Sequence, residues 1–301
     1  MTQTPFHAGE REAQERAGVA AMAARIGRGI HPEIPPAARA FLEQADLIFL
    51  ATTDPDDRPW ASIVTGQPGM VQVPDDVTAV VTLAPIAGDP LMANLTFGSH
   101  IGLIAPDLAT RRRMRLNGSV EHFDGVDLTI HAEQVFANCP KYIQRRVTAP
   151  LERALGAGAV TTTSLSEQQR EWLRRADTFF VATANPGEGA DVSHRGGMPG
   201  FIRVKDNQIR WPDYSGNMMF TTIGNLLRHP WAGLAIPDFA AGNVLLVSGA
   251  VSVDWSPGPE ESQAGAERVM QLEVERVVEL RGGLGVWSGA ADPSPFNPPV
   301  R

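Results

Sequence analysis

The chain repeats itself at one fixed distance, and that repetition limits what it can fold into. Ala45-Asp46 recurs 131 residues later as Ala176-Asp177. In the same register Ala51-Thr52 falls on Ala182-Thr183, Pro55 on Pro186, Ser62 on Ser193 and Gly66 on Gly197. Pro68-Gly69 matches Pro199-Gly200, Asn94-Leu95 matches Asn225-Leu226, and Pro106-Asp107 matches Pro237-Asp238. No gap is needed from about residue 41 to residue 120. The matched residues favour Gly, Pro and Asp, which fix turns. So long a period belongs to two duplicated domains, not to a solenoid array.

The sequence divides into an N-terminal helical extension (1–37), a first repeat (38–160), a second repeat (165–285) and a flexible tail (286–301). Residues 8–28 are rich in Ala, Glu and Arg and read as one helix, and 37–44 as a second. The first repeat follows as strands over 47–52, 60–65, 70–73, 78–83, 101–105 and 114–122. Residues 128–156 lose that pattern and read as helical through 131–136 and 142–155, with 156–164 as a linker. Ser166 and Gln169 have the spacing of a capping box that opens a helix over 167–175. Strands recur at 179–183, 191–195, 201–204, 208–212, 232–236 and 245–253, with a helix over 221–228 and a last strand over 271–280. Six short strands with one inserted helix suggest a small closed barrel, and no helix follows each strand as a doubly wound sheet requires. The fold class is therefore mainly β with short helices: tandem duplicated split β-barrels related by a pseudo-twofold axis.

A net charge of −8 argues against a general nucleic-acid binder. One cysteine, Cys139, excludes an intrachain disulfide and suits a reducing cytosol. No apolar run approaches the ~20 residues that span a bilayer, and residues 10–16 are too charged for a signal peptide, so a cytoplasmic protein without a membrane partner is expected. Nucleotide-binding P-loop, dinucleotide and zinc-protease motifs are missing. The seven histidines have no ligand spacing, so no metal site is expected.

The repeats differ where chemistry is concerned. Ser62-Ile63-Val64-Thr65-Gly66 in the first becomes Ser193-His194-Arg195-Gly196-Gly197 in the second. Arginine's planar fork suits phosphate, and the paired glycines would let a ligand approach the backbone. The other reading is a solvated barrel rim. Ser215-Gly216-Asn217 enters the 221–228 helix and is either a plain turn or an anion cradle at a helix N-terminus. Conversely, Arg112, Arg113 and Arg115 of the first repeat match Asn243, Val244 and Leu246 of the second. They are either a charged edge strand or half of a site that the other repeat completes.

Four stretches carry a family resemblance: 176–186, the 193–201 loop, 211–225, and Asn138-Cys139-Pro140-Lys141-Tyr142 within 135–143. With the first repeat they cover about residues 40–280. The sequence resembles the pyridoxamine 5′-phosphate oxidase-like FMN-binding split barrels, and within them bacterial flavin-nucleotide-binding proteins. The resemblance implies FMN at the junction of two barrels, usually from two subunits, so a homodimer is one way to complete the site. It implies contacts from Ser193, His194, Arg195, Gly196, Gly197, Pro212, Asp213, Ser215, Gly216 and Asn217. Arg112-Arg113-Met114-Arg115 resembles the family's Arg-Gln-Val-Arg stretch on the partner barrel. The chain lacks the family's Arg/Lys-rich phosphate signature and its Arg-Leu-Ser-Pro-like C-terminus, which argues against pyridoxamine phosphate as substrate. An FMN-dependent oxidoreductase acting on an unidentified small molecule is the function implied, with His194 as the one acid–base candidate. A flavin carrier, or a haem-handling barrel using His194 or His229, are the alternatives. Cys139 is a redox thiol or a buried small residue, Lys141 a phosphate contact, and Trp287 a cover for the flavin.

Overall fold

A computed structural model describes residues 4–84, 86–147, 158–258, 263–285, 287 and 290–300. The N-terminal extension holds α1 (Ala8–Arg16) and α2 (Ala20–Ile26) where one helix was expected; Gly18, at φ 70°, breaks it. α3 (Pro36–Leu42) leads into the first repeat. There β1 (Leu47–Thr53), β2 (Pro59–Thr65), β3 (Val71–Gln72) and β4 (Thr78–Thr82) precede α4 (Leu91–Asn94). β5 (His100–Asp107), β6 (Arg112–Phe123) and β7 (Asp127–Ala137) follow. β8 (Gly158–Thr162) and α5 (Glu167–Arg175) introduce the second repeat, and Ser166 and Gln169 form the expected capping box. Its strands are β9 (Thr178–Asn185), β10 (Gly189–Gly196), β11 (Arg203–Lys205) and β12 (Gln208–Tyr214). After α6 (Thr221–Arg228) come β13 (Trp231–Asp238), β14 (Asn243–Asp254) and β15 (Ala266–Arg281).

The two sheets have the same antiparallel order, β2-β1-β5-β6-β7-β4-β3 and β10-β9-β13-β14-β15-β12-β11, with β8 added on β15. The chain is thus a tandem of split barrels. β1 shows how the core is divided. Its side chains alternate with the pleat: Ile48 and Leu50 enter the first barrel's interior, while Leu47, Phe49 and Ala51 enter a cluster between barrels. In β9, Phe179 and Val181 fill the second barrel, and Phe180 and Ala182 join the shared cluster. Both faces of these strands are buried, so their sequences read as continuous apolar runs.

The pseudo-twofold axis passes between Phe49 and Phe180, which are 131 residues apart and stack with ring centroids 3.4 Å from each other. Glycines enforce the close packing around it. A Cβ on Gly102 would lie 2.8 Å from Asp191 Cα, and one on its counterpart Gly233 would lie 2.6 Å from Trp60 Cα. Asp191 and Trp60 are themselves 131 residues apart.

Four expectations need correction. Residues 131–136 are not helical but belong to β7. A register shift opposite Gly118 pairs that residue with Ala132, and a matching shift pairs Gly249 with Val274. The corresponding residues are therefore 142 apart here, because the second repeat carries eleven extra residues before β15. Residues 142–147 are not helical either, since Tyr142 has φ 66° and Arg145 bridges to Asp292; 148–155 and the first linker residues, 156–157, lie outside the described residues. The rest of the expected linker includes strand β8. The tail expected to be flexible is pinned: Gln144 Oε1 accepts from Ser294 N and from Asn297 Nδ2, each at 2.8 Å.

Candidate functional site

Between the barrels lies a cavity of about 460 Å³, within the usual range for small-molecule sites. β6 supplies Arg113 and Arg115, which share a strand face. From the second repeat, residues 193–196 of β10 and 212–214 of β12 reach it, followed by the 215–218 turn and the first turn of α6. Residues 138, 139, 141 and 142, together with Ala17 and Val19 of the N-terminal extension, also line it. The extension reaches this place because α1 packs on α6 so closely that a Cβ on Gly224 would meet Glu10.

The turn that leads into α6 is under backbone strain. Met218 and Phe220 both have φ 62°, in the left-handed region that costs a non-glycine residue energy. Three hydrogen bonds hold it: Asn217 Oδ1 accepts from Met219 N (3.1 Å), Gln14 Nε2 donates to Met219 O (2.8 Å), and Tyr142 Oη donates to Ser215 O (3.0 Å). The helix opens with no side-chain cap, so the donor end of α6 faces the cavity through Thr221 and Thr222.

The cavity's electrostatics are those of a donor-rich, cationic site. Arg113 donates from Nη1 to His194 Nδ1 (2.9 Å) and from Nη2 to Cys139 O (2.8 Å). Arg115 pairs with buried Asp191 and donates to Thr221 Oγ1 at 3.3 Å. Burial, with nearby guanidinium groups, lowers Arg113 to about 10 and Arg115 to about 9. His194 is pushed well below the ordinary histidine range by burial and then by the neighbouring arginines, so it is neutral. Its Nδ1 accepts from Arg113, which leaves the proton on Nε2. Arg113 Nε, Arg115 Nε, Arg195 Nε and His194 Nε2 are buried without a partner. All four are donors, and leaving such groups unpaired costs about 1–3 kcal/mol each. An acceptor-rich anion is the ligand that would satisfy them.

Of the residues expected at the site, Ser193, His194, Arg195, Gly196, Pro212, Asp213, Ser215, Gly216, Asn217, Arg113 and Arg115 line the cavity. Arg112 does not. It points to the opposite strand face, where it pairs with Asp107 at 3.4 Å. Gly197 does not either: the Phe201 ring takes the space where its Cβ would go, and the Tyr142 carbonyl crowds Gly196. The open side of Gly197 thus admits protein atoms and not a ligand, whereas Gly196 still lines the cavity with its backbone. Arg195 is already paired with Asp213 (3.2 Å), which also accepts from Arg268 Nε (2.8 Å). Lys141 and Cys139 line the cavity, whereas Trp287 packs on Phe239 away from it, with ring centroids 4.9 Å apart. His229 is half-buried outside the cavity, and its Nε2 lies 2.9 Å from Asp57 O. The sequence reading missed Arg268, whose repeat register is displaced by the insertion before β15. It also missed the N-terminal residues, which have no counterpart in the repeat. Thr221 and Thr222 were within reach, as the first residues of the expected helix.

The pseudosymmetric position holds no comparable cavity among the described residues. Ile63, Val244 and Leu246 stand where His194, Arg113 and Arg115 would be, and Ile86 and Leu284 pack with them. At the start of α4 the Asp89 carboxylate accepts from Ser62 Oγ (2.5 Å) and Leu91 N (2.9 Å). Burial raises Asp89 to about 6. The first repeat thus meets its helix N-terminus with a carboxylate of its own.

No curated protein matches the chain. Among solved structures, similarity is found to Group A Streptococcus HupZ (12% identity, 42% of this chain and 100% of that one, TM-score 0.31). A putative pyridoxamine 5′-phosphate oxidase from Lactobacillus delbrueckii is 18% identical over 35% of this chain and 95% of its own, with a TM-score of 0.28. A pyridoxamine 5′-phosphate oxidase-related, FMN binding protein from Nostoc punctiforme is 12% identical over 41% and 91%, with a TM-score of 0.24. The family model for pyridoxamine 5′-phosphate oxidase matches twice, over residues 34–158 and 165–281, one match for each barrel. With both barrels accounted for, this chain belongs to the pyridoxamine 5′-phosphate oxidase family.

Proposed function

We propose that the chain binds one FMN in the inter-barrel cavity and acts as an FMN-dependent oxidoreductase on a small molecule. The observation that carries the reading is the set of four buried, unpartnered donors on Arg113, Arg115, Arg195 and His194. They fit a phosphorylated flavin, which brings a dianionic phosphate and a ring edged with acceptors. Arg113, Arg115 and the first turn of α6 would hold the phosphate. The 212–217 segment would flank the remainder of the ligand. FMN would supply the redox chemistry, and the protein would supply binding and orientation.

The protein's own contribution follows from its charge state. Neutral His194 donates from Nε2 and is not an acid at neutral pH, so it orients an acceptor without delivering a proton. Tyr142 and Tyr214, with ring centroids 5.2 Å apart, wall the cavity, and burial raises Tyr214 to about 12, so it stays protonated. Ala17 and Val19 of the N-terminal extension would cover part of the bound ligand.

The test is the absorption spectrum of the purified protein and the mass of the cofactor released by heat, followed by reduction with NADH and NADPH. Flavin bands, released FMN and reduction support the proposal. Released FAD, or a protein that neither carries nor takes up FMN, overturns it. FMN that no donor reduces decides for a flavin carrier.

A further inference from the structure

The repeat relates two surface clefts as well as two barrels. In the second repeat a cleft is lined by Trp172, Ala176, Asp177, Pro237, Asp238 and Phe239. Arg146 occupies it. Its Nη2 donates to both carboxylate oxygens of Asp177, at 2.6 and 2.7 Å, and its guanidinium lies 4.4 Å from the Phe239 ring centroid. The residues 131 positions earlier, Phe41, Ala45, Asp46, Pro106, Asp107 and Leu108, line a cavity of about 400 Å³. The backbones agree as well: Asp46 O accepts from Gly66 N at 3.0 Å, and Asp177 O from Gly197 N at 3.1 Å. Trp287 lines both clefts.

What distinguishes the two is the cation. Among the described residues Asp46 has no ion-pair partner. Arg112, at the rim, is taken up by Asp107 (3.4 Å) and Thr110 (2.9 Å). Arg146 lies beyond β7, so its counterpart would come from beyond β15, and residues 282–300 contain neither Arg nor Lys. Burial and the nearby Asp107 hold the Asp46 carboxyl above its usual range, the sign of a carboxylate short of a partner. One repeat shows what the shape and charge of this cleft accept; in the other, among the described residues, the Arg112 guanidinium lies over the Phe41 ring, 5.5 Å from its centroid, and leaves the Asp46 carboxylate unpaired.

We infer that the cleft around Asp46 is a binding site for a guanidinium group, an arginine side chain carried by a ligand, seated as Arg146 is seated against Asp177. The site is separate from the inter-barrel cavity and does not depend on the flavin reading. Planar guanidinium is favoured over ammonium because it can bond both carboxylate oxygens while its face covers an apolar wall.

Titration of the full chain with Nα-acetyl-arginine amide, followed through the Trp287 indole N–H resonance, tests this. Saturable binding is expected with a Kd on the order of 1 mM, typical of one partly exposed contact. Asp46→Asn should weaken it at least about tenfold, and the citrulline analogue, equal in shape but uncharged, should not bind. Asp46→Ser, checked for an unchanged melting temperature, guards against a variant-specific distortion and should behave as Asp46→Asn does. Absence of saturation, equal binding by the two Asp46 variants and the parent, or equal binding of the citrulline analogue would overturn the inference.

Discussion

Arg112 and Arg113 are neighbours in sequence and face opposite ways, so they make a matched test and control. Arg113→Ala removes a charged donor from the cavity and should weaken FMN binding by roughly tenfold to a hundredfold, the equivalent of about 1.5–3 kcal/mol. Arg112→Ala should leave it unchanged. Flavin fluorescence quenching on titration of the apoprotein measures both. Arg195→Ala should fall between them, because Asp213 already engages that guanidinium. The basic run was visible in the sequence, but the reading kept Arg112 with Arg113 and Arg115, although strand alternation places residues 113 and 115 on one face and 112 on the other. What no sequence rule supplied was the removal of Gly197 from the site, since only packing reveals that Phe201 occupies its open side. Glu10 offers a pH test. Burial raises its carboxyl from the ordinary 4.5 to about 7. The folded state therefore binds this proton more tightly than the unfolded state, and stability should fall as pH rises from about 4.5 to about 7. Glu10→Gln should flatten that slope, which chemical denaturation across the pH range would show.

Among the elements, the long strand β7 shows how a bulge hides a strand. Leu128, Ile130 and Ala132 alternate in burial, but the shift opposite Gly118 carries the pattern to Val135 and Phe136, a spacing that mimics a helix. The counterpart β15 is longer, at 16 residues, and keeps a clear alternation through Met270, Leu272 and Val274 before its own shift. α5 and α6 were legible to the residue or nearly so, through a capping box and a flanking His-Pro. The role of α1 was not legible, since nothing in a short Ala-rich helix names its docking site. Its Gln14 side chain is buried and holds the strained turn at Met219. Gln14→Leu leaves that carbonyl unpaired and should lower stability by about 1–3 kcal/mol, while also weakening FMN binding. A drop in melting temperature with unchanged FMN affinity would separate the helix from the site.

For the whole molecule, the constant offset exposed both the duplication and the division of labour between repeats. It could not expose the consequence of the eleven-residue insertion, nor the docking of a Pro-rich tail through Gln144 and Arg145. One inter-barrel cavity among the described residues predicts one FMN per chain at saturation, measured as flavin absorbance against protein concentration. Two per chain would contradict the filled pseudosymmetric site. Arg146→Ala strands the Asp177 carboxylate, which is mostly buried, and should cost about 2–3 kcal/mol of stability in denaturant titration. The Phe49–Phe180 stack has a last consequence. A pair of separate barrels holding a ligand between them would come apart on dilution and release it. Here the pairing is intramolecular, so its strength is set by tether length and not by how much protein is present. The junction should persist at nanomolar protein, and a melting temperature that does not move with concentration would be its signature.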